Sequence, residues 1–223
     1  VTFSIVARDA TGAFGAAISS SSPAVAARCV HLADGVGGVN SQNVTDPRLG
    51  GILLDRLREG LPADDALRSV TDTTDHIEYR QLLIVDADGR AAAHTGSSAL
   101  GLFGDAVGDG VAAGGNLLAT ADVPRVMVDA FESAEGDLEL RLMAAMRAAM
   151  DAGGEAGPVH SAGLSVVRSA GWRVTDLRVD WSEGDPIDEL DHLLAVWLPQ
   201  RDAYIERGLN PTVAPSYGVP GDE

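Results

Sequence analysis

An α+β fold, with antiparallel strands and helices in separate layers, is what this sequence predicts, on three observations. Strand-like and helix-like segments come in runs: strands, helices, strands, helices, strands, helix. Short turn sequences join neighbouring strands, as antiparallel hairpins require. No internal repeat or linker divides the 223 residues, which suffice for one domain with a real core. A single domain is expected over 1–207, followed by a Pro/Gly-rich tail over 208–223.

The first two strands are read in "TFSIVARD" and "GAFGAAISSSS", with Ala10-Thr11-Gly12 as their turn. Thr2, Phe3, Ile5 and Ala7 are expected on one face of the first. "GVGGVNSQNV" reads as the third strand, its glycines marking a close backbone approach. Asp46 is expected to cap a helix with Pro47 in its first turn, Leu49, Ile52, Leu53 and Leu57 at helical spacing, and Gly60 as its stop. "LPADDALRSV" gives a second helix with Ala66, Leu67 and Val70 inward. "RQLLIVDADGRAAAHTG" returns to strand character around the turn Asp86-Ala87-Asp88-Gly89; its DxDG string lacks the other ligand positions of a calcium loop. "DAVGDGVAAGGN" reads as one short strand ending in a glycine corner. Helices follow near 123–131 and 137–152, the second with Leu138, Leu142, Met146 and Ala149 as core. "HSAGLSVVRS" and "WRVTDLRVDW" form a last hairpin around Ala170-Gly171. "DPIDELDHLLAVW" is the last helix, ending before Pro199.

Composition excludes several function classes. There are 33 acidic residues against 16 basic, all of them Arg, for a net charge of −17. Nucleic acid and anionic membrane surfaces are poor partners for such a chain. No apolar run approaches the ~18 residues of a membrane span, and no basic leader precedes the first strand. With Cys29 as the single cysteine, a reducing, cytoplasmic setting is expected. Without Lys no GxxxxGK[ST] is possible, no GxGxxG stands between strand and helix, and GxSxG is absent. His31, His76, His94, His160 and His192 never pair at ligand spacing, so no metal and no organic cofactor is expected.

The start of the chain remains. Val1 fits a GTG start codon read as methionine, and a methionine before a small residue is normally removed. The mature chain is then expected to begin at Thr2. Thr2 would carry a hydroxyl and a free α-amine of pKa about 7.7–8.0. Such an amine can take the hydroxyl proton directly or through a water, giving a nucleophile with its own base.

The surrounding strings resemble a known family. "TFSIVARDATGAFGAAISSSSPAVAA", "DGVGGVNSQNVTDPRLG", "RQLLIVDADGRAAAHTG" and "GGNLLATADV" resemble, in order, successive blocks of the DUF1028 family of the N-terminal nucleophile (Ntn) hydrolase superfamily. "VTDLRVDWSEGDPIDELDHLL" resembles its closing block. The resemblance implies a four-layer αββα sandwich with Thr2 as nucleophile at the head of a central strand. It further implies Asn116 as an oxyanion-hole amide, Ser20 and Ser21 beside the terminus, and Gln42, Asn43 and His94 as substrate contacts, with His160 a weaker candidate. Many members carry a basic residue after the second-strand serine, where this chain reads Ser19-Ser20-Ser21-Ser22-Pro23. Tuning of the amine must then come from Arg8, Arg28 or backbone groups.

The function expected is hydrolysis of a non-peptide or peptide-like amide bond through an acyl-enzyme on Thr2, with a small-molecule amide as substrate, in a homo-oligomer, a dimer. Two alternatives stand beside it. One is a non-catalytic small-molecule binding module on the same fold, which has no need of a free Thr2. The other is a metal-dependent hydrolase, which needs His94, His160 and carboxylates to converge.

Overall fold

The structure, a computed structural model, describes residues 2–222. It contains two antiparallel sheets and helices packed on their outer faces. The chain starts with β1 (Thr2–Arg8) and β2 (Phe14–Ser20), then α1 (Val25–Cys29), β3 (Val30–Ala33) and β4 (Gly37–Asn43). Helices α2 (Arg48–Arg58) and α3 (Ala63–Thr71) precede the hairpin β5 (Arg80–Asp86) and β6 (Ala91–Thr95). A second hairpin, β7 (Gly104–Gly108) and β8 (Val111–Asn116), leads into α4 (Val123–Ser133) and α5 (Leu138–Asp151). The last elements are β9 (Ser161–Val167), β10 (Arg173–Val179) and α6 (Pro186–Leu209). One sheet has six strands in the order β10-β9-β2-β1-β8-β7, the other four in the order β3-β4-β5-β6.

Alternating side chains divide the core into three. Phe3, Ile5 and Ala7 of β1 pack with Met127 and Phe131 of α4, Leu142 and Met146 of α5, and Leu190 of α6. Val6, with Phe14 and Ile18 of β2, meets Leu83 and Val85 of β5 between the sheets. Val39, Leu82 and Ile84 face Leu49, Leu53 and Leu57 of α2 and Leu67 and Val70 of α3. Thr2 therefore does not share a face with Phe3, Ile5 and Ala7. A strand alternates strictly, which puts Thr2 with Ser4 and Val6 on the side toward the second sheet.

Other expectations are corrected by local chemistry. Ile52 is 41% exposed, because the buried side of α2 runs through Leu49, Leu53, Leu54 and Leu57. Helix α1 and strand β3 were not legible, being too short to display a period. "DAVGDGVAAGGN" holds two strands, since Gly110 at φ +67 lets the chain reverse. Helix α6 continues through Pro199 to Leu209. Ala195, whose carbonyl loses its intrahelical donor to Pro199, is exposed, so water can satisfy it. Beyond the helix, Arg207 donates to the carbonyls of Pro215 and Ser216 and lies over the Tyr217 ring, folding the tail back.

The Asp86 turn is structural. Asp86 accepts from the backbone N–H of Ala63, Asp88 and Arg90 and from Arg90 Nε, so both carboxylate oxygens are committed. Among the described residues, no three His, Cys, Asp or Glu side chains converge as metal ligands. No helix among them is long and apolar enough to cross a membrane.

Leu53 is fully buried between α2 and the four-stranded sheet. Leu53→Ala should cost about 2–5 kcal/mol. Thermal melts measure this directly, and an unchanged midpoint would contradict the burial.

Candidate active site at the head of the central strand

Thr2 opens β1, with β8 on one side and β2 on the other. It pairs with Asn116, and the adjacent Phe3–Ser19 pair sets it across from Ser20. Residues facing each other in antiparallel strands share a face, so Thr2, Ser20 and Asn116 all project toward the second sheet. Thr2 is only 4% exposed, and Ser20 and Asn116 are fully buried. Thr2 Oγ1 donates to Ser20 Oγ at 3.3 Å. Ser20 Oγ also accepts from Ser22 N at 3.1 Å and lies 2.8 Å from Ser22 Oγ, which in turn accepts from Arg28 Nη2 at 2.9 Å.

The serine turn is held from several directions. Ser161 Oγ donates to the Ser22 carbonyl at 2.6 Å and accepts from Val25 N at 3.3 Å. Ser21 presents its backbone N–H to Glu155 Oε2 at 3.0 Å. Glu155 is a buried carboxylate whose pKa is raised above the ordinary value by burial, against the opposing pull of the Ser21 hydrogen bonds. His160 donates its backbone N–H to the Ser20 carbonyl. Its ring lies 2.7 Å from the Ser182 carbonyl and stacks on Trp181 at 4.4 Å, a packing role.

Behind Thr2 the two sheets are joined by side-chain amides whose orientation backbone carbonyls dictate. Asn40 Nδ2 donates to Ile5 O and to Ser4 Oγ, and Ser4 Oγ donates to Gln42 Oε1 at 2.6 Å. Gln42 Nε2 donates to Gly114 O and to Gln81 Oε1 at 2.8 Å. Gln81 Nε2 donates to Thr95 Oγ1 and to the carbonyls of Gly104 and Gly115. A carbonyl only accepts, so each of these amides has one admissible orientation. Gln81 Oε1 therefore receives Asn116 Nδ2 at 3.3 Å, and Asn116 Oδ1 is left buried with no partner among the described residues.

The candidates thus separate. Thr2, Ser20 and Asn116 come together, with Ser21 adjacent. Gln42 is fully buried and committed on both amide atoms, so it ties the sheets together rather than facing a ligand. Asn43, at φ +72, donates to Tyr79 O and accepts from Leu100 N, which fixes the loop after β6. His94 pairs with Leu82 and so lies on the outer, helix-covered face, 3.5 Å from the Ile77 carbonyl. It is not brought to Thr2. Among the described residues, His160, His94 and carboxylates do not come together as a set of three ligands.

Sequence reasoning missed Gln81 and Glu155. A signal for Gln81 existed: a lone amide opening the apolar run "RQLLIVD" must find buried partners. Glu155, in a loop between α5 and β9, gave none. Two grooves, of about 440 and 500 Å³, run along β10 and α6; the first is lined by Trp172, Trp197 and Tyr204, the second by Trp181 and His192. Neither includes Thr2, Ser20 or Asn116.

The model of the family of unknown function DUF1028 matches residues 2–190. The crystal structure of protein SPO2555 from Silicibacter pomeroyi, described with the same family, is 33% identical with a TM-score of 0.81, covering 87% of this chain and 88% of that one. Two structures of Anbu also align, at lower similarity. The Gly-1 mutant from Hyphomicrobium sp. strain MC1 is 10% identical with a TM-score of 0.42, covering 91% of this chain and 97% of its own. The protein from Yersinia bercovieri, described as an ancestral beta-subunit, is 9% identical with a TM-score of 0.40, covering 88% and 97%. No curated protein matches.

Burial makes ionisation of Glu155 unfavourable in the folded protein. The folded state therefore binds this proton more tightly than the unfolded chain. The resulting stability is complete below the ordinary carboxyl range and is lost as pH rises through the folded pKa. Glu155→Gln, which cannot ionise and still accepts from Ser21, should gain stability relative to wild type between about pH 4 and pH 7. Denaturant titrations at both values measure the difference; a pH-independent difference would contradict the assignment.

Proposed function

The chain belongs to the DUF1028 family, and from that membership and the geometry at Thr2 we propose an N-terminal nucleophile hydrolase that cleaves an amide bond in a small molecule. The two sheets and their outer helices are then the four-layer αββα sandwich of that superfamily, working in the cytoplasm. The observation that carries this reading is Thr2 itself. Its hydroxyl is hydrogen-bonded in a buried polar group at the head of a central strand, with Asn116 directly across.

The chemistry follows for a chain that begins at Thr2. The α-amine takes the hydroxyl proton as Thr2 Oγ1 bonds to the substrate carbonyl carbon. The oxyanion formed is held by an N–H of Asn116 Nδ2 and a backbone N–H. The protonated amine passes its proton to the leaving nitrogen, the C–N bond breaks, and an ester remains on Thr2. Water then hydrolyses the ester, its proton returning through the same amine. One N–H of Asn116 is held by Gln81, which leaves the other for this task. The grooves along β10 and α6 favour a second reading, a binding module that uses those surfaces and leaves Thr2 idle.

A panel of small amides separates the two. Thr2→Ala should abolish turnover with a nearly unchanged melting temperature, and Thr2→Ser should keep part of it, since only the methyl that restricts the rotamer is lost. Asn116→Ala should slow turnover by about 10²–10³-fold. Turnover that survives Thr2→Ala would overturn the reading.

A further inference from the structure

The serine run that follows β2 ends on a cation. Arg28 lies one turn into α1, where Ala24, at φ 53, bends the chain back toward β2. The guanidinium is fixed by the carbonyls of Pro23 and Ala24 and donates through Nη2 to Ser22 Oγ at 2.9 Å. Ser22 Oγ is 2.8 Å from Ser20 Oγ, and Ser20 Oγ receives the Thr2 hydroxyl at 3.3 Å. Arg8, the other candidate, is at the far end of β1, on the Asp9 carbonyl.

Proton directions along this chain are constrained. A guanidinium only donates, so Ser22 Oγ accepts from Arg28. A backbone N–H only donates, so Ser20 Oγ accepts from Ser22 N. Thr2 also donates to Ser20 Oγ, and either hydroxyl of the Ser20–Ser22 pair can donate to the other. The contacts thus run unbroken from Thr2 Oγ1 through Ser20 and Ser22 to the positive charge.

We propose, resting on the reading of Thr2 as nucleophile, that Arg28 is a positioning residue that supports negative charge on Thr2 Oγ1 through Ser22 and Ser20. When the Thr2 proton passes to the α-amine, the oxygen left behind needs donors. Rotation of two hydroxyls provides them: Ser20 turns its O–H to Thr2 and Ser22 turns its own to Ser20, while Arg28 continues to donate to Ser22. No proton leaves Arg28, which cannot give one up near neutral pH. The same charge lowers the pKa of a nearby α-amine, keeping it neutral and basic. The other groups facing this turn are Glu155 at Ser21, His160 at Ser20, Cys29 beside Arg28, and Asp180, whose carbonyl receives Ala24 N.

The test uses protein verified by mass to begin at Thr2, with p-nitrophenyl acetate as acyl donor and peptide mass spectrometry to locate the acetyl group. Wild type should be acetylated on the Thr2 hydroxyl. Arg28→Met and Ser22→Ala should each slow this about tenfold, the equivalent of one pKa unit, and Arg28→Met, which removes the charge, should also move the rising limb of the pH–rate profile to higher pH. Because Ser22 acts only through the path that ends on Arg28, the double variant should be no slower than Arg28→Met alone. Ser22→Ala leaves the Arg28 bonds to Pro23 and Ala24 in place, so it tests the path even where Arg28→Met lowers the melting temperature. Wild-type rates with an unshifted profile in both variants, or penalties that multiply, would overturn the role of Arg28 while leaving Thr2 as nucleophile. No acetyl group on wild-type Thr2 would overturn both.

Discussion

Two sheets that could otherwise slide over one another are fixed by a line of buried amides: Asn40, Gln42, Gln81 and Asn116, joined through Ser4. All five side chains are fully buried. An apolar contact tolerates a shift of an ångström, whereas these hydrogen bonds do not, and a buried amide left unpaired costs about 1–3 kcal/mol. The constraint therefore specifies one alignment of β1 and β8 against β4 and β5. It also sets the height at which Thr2 and Asn116 stand, so the candidate site inherits its geometry from the polar layer behind it.

That layer explains an asymmetry in the core. The outer clusters are mainly apolar, apart from buried groups such as Glu139 with Thr175 and Arg201, and they supply most of the burial that favours folding. Toward the Thr2 end the inner cluster gives way to hydroxyls and amides. Polar groups concentrated at one end of an interior make poor sense as packing. Their hydrogen bonds hold the sheets in one alignment, and the chemistry proposed at Thr2 would need charge held out of water at this same end. Asn40 and Asn116 each keep a buried amide oxygen lacking a partner among the described residues, and of the two it is Asn116 that stands directly across from Thr2.

Much of the fold was legible because its signals are local. The turns at Gly12, Gly89 and Gly171 each need φ > 0, and glycine advertises it. Leu53 and Leu57 repeat at helical spacing and are buried, as are Leu138, Leu142 and Met146. What was not legible depends on long-range contact. Ile52 fits the helical pattern as well as Leu53 does, and the fold alone decides which faces water. Pro199 reads as a stop unless its neighbour's carbonyl is known to be solvated. At the site, Thr2, Ser20 and Asn116 come together as the sequence reading grouped them, whereas Gln42 is tied between the sheets and His94 lies on the outer face, for the same reason. A strand residue's face is set by register, and one step along β6 separates Thr95, which meets Gln81, from His94, which does not.

The central claim is that Thr2 acts with its own amine as base, and a peptide bond at that nitrogen removes the basic lone pair without touching the fold. The decisive comparison is amide turnover by protein that begins at Thr2 against protein that retains one residue before it, with melting temperatures measured on both. Activity confined to the first form at equal stability is the predicted result. Equal activity in the two forms would contradict a self-activated threonine, however closely the chain resembles its family.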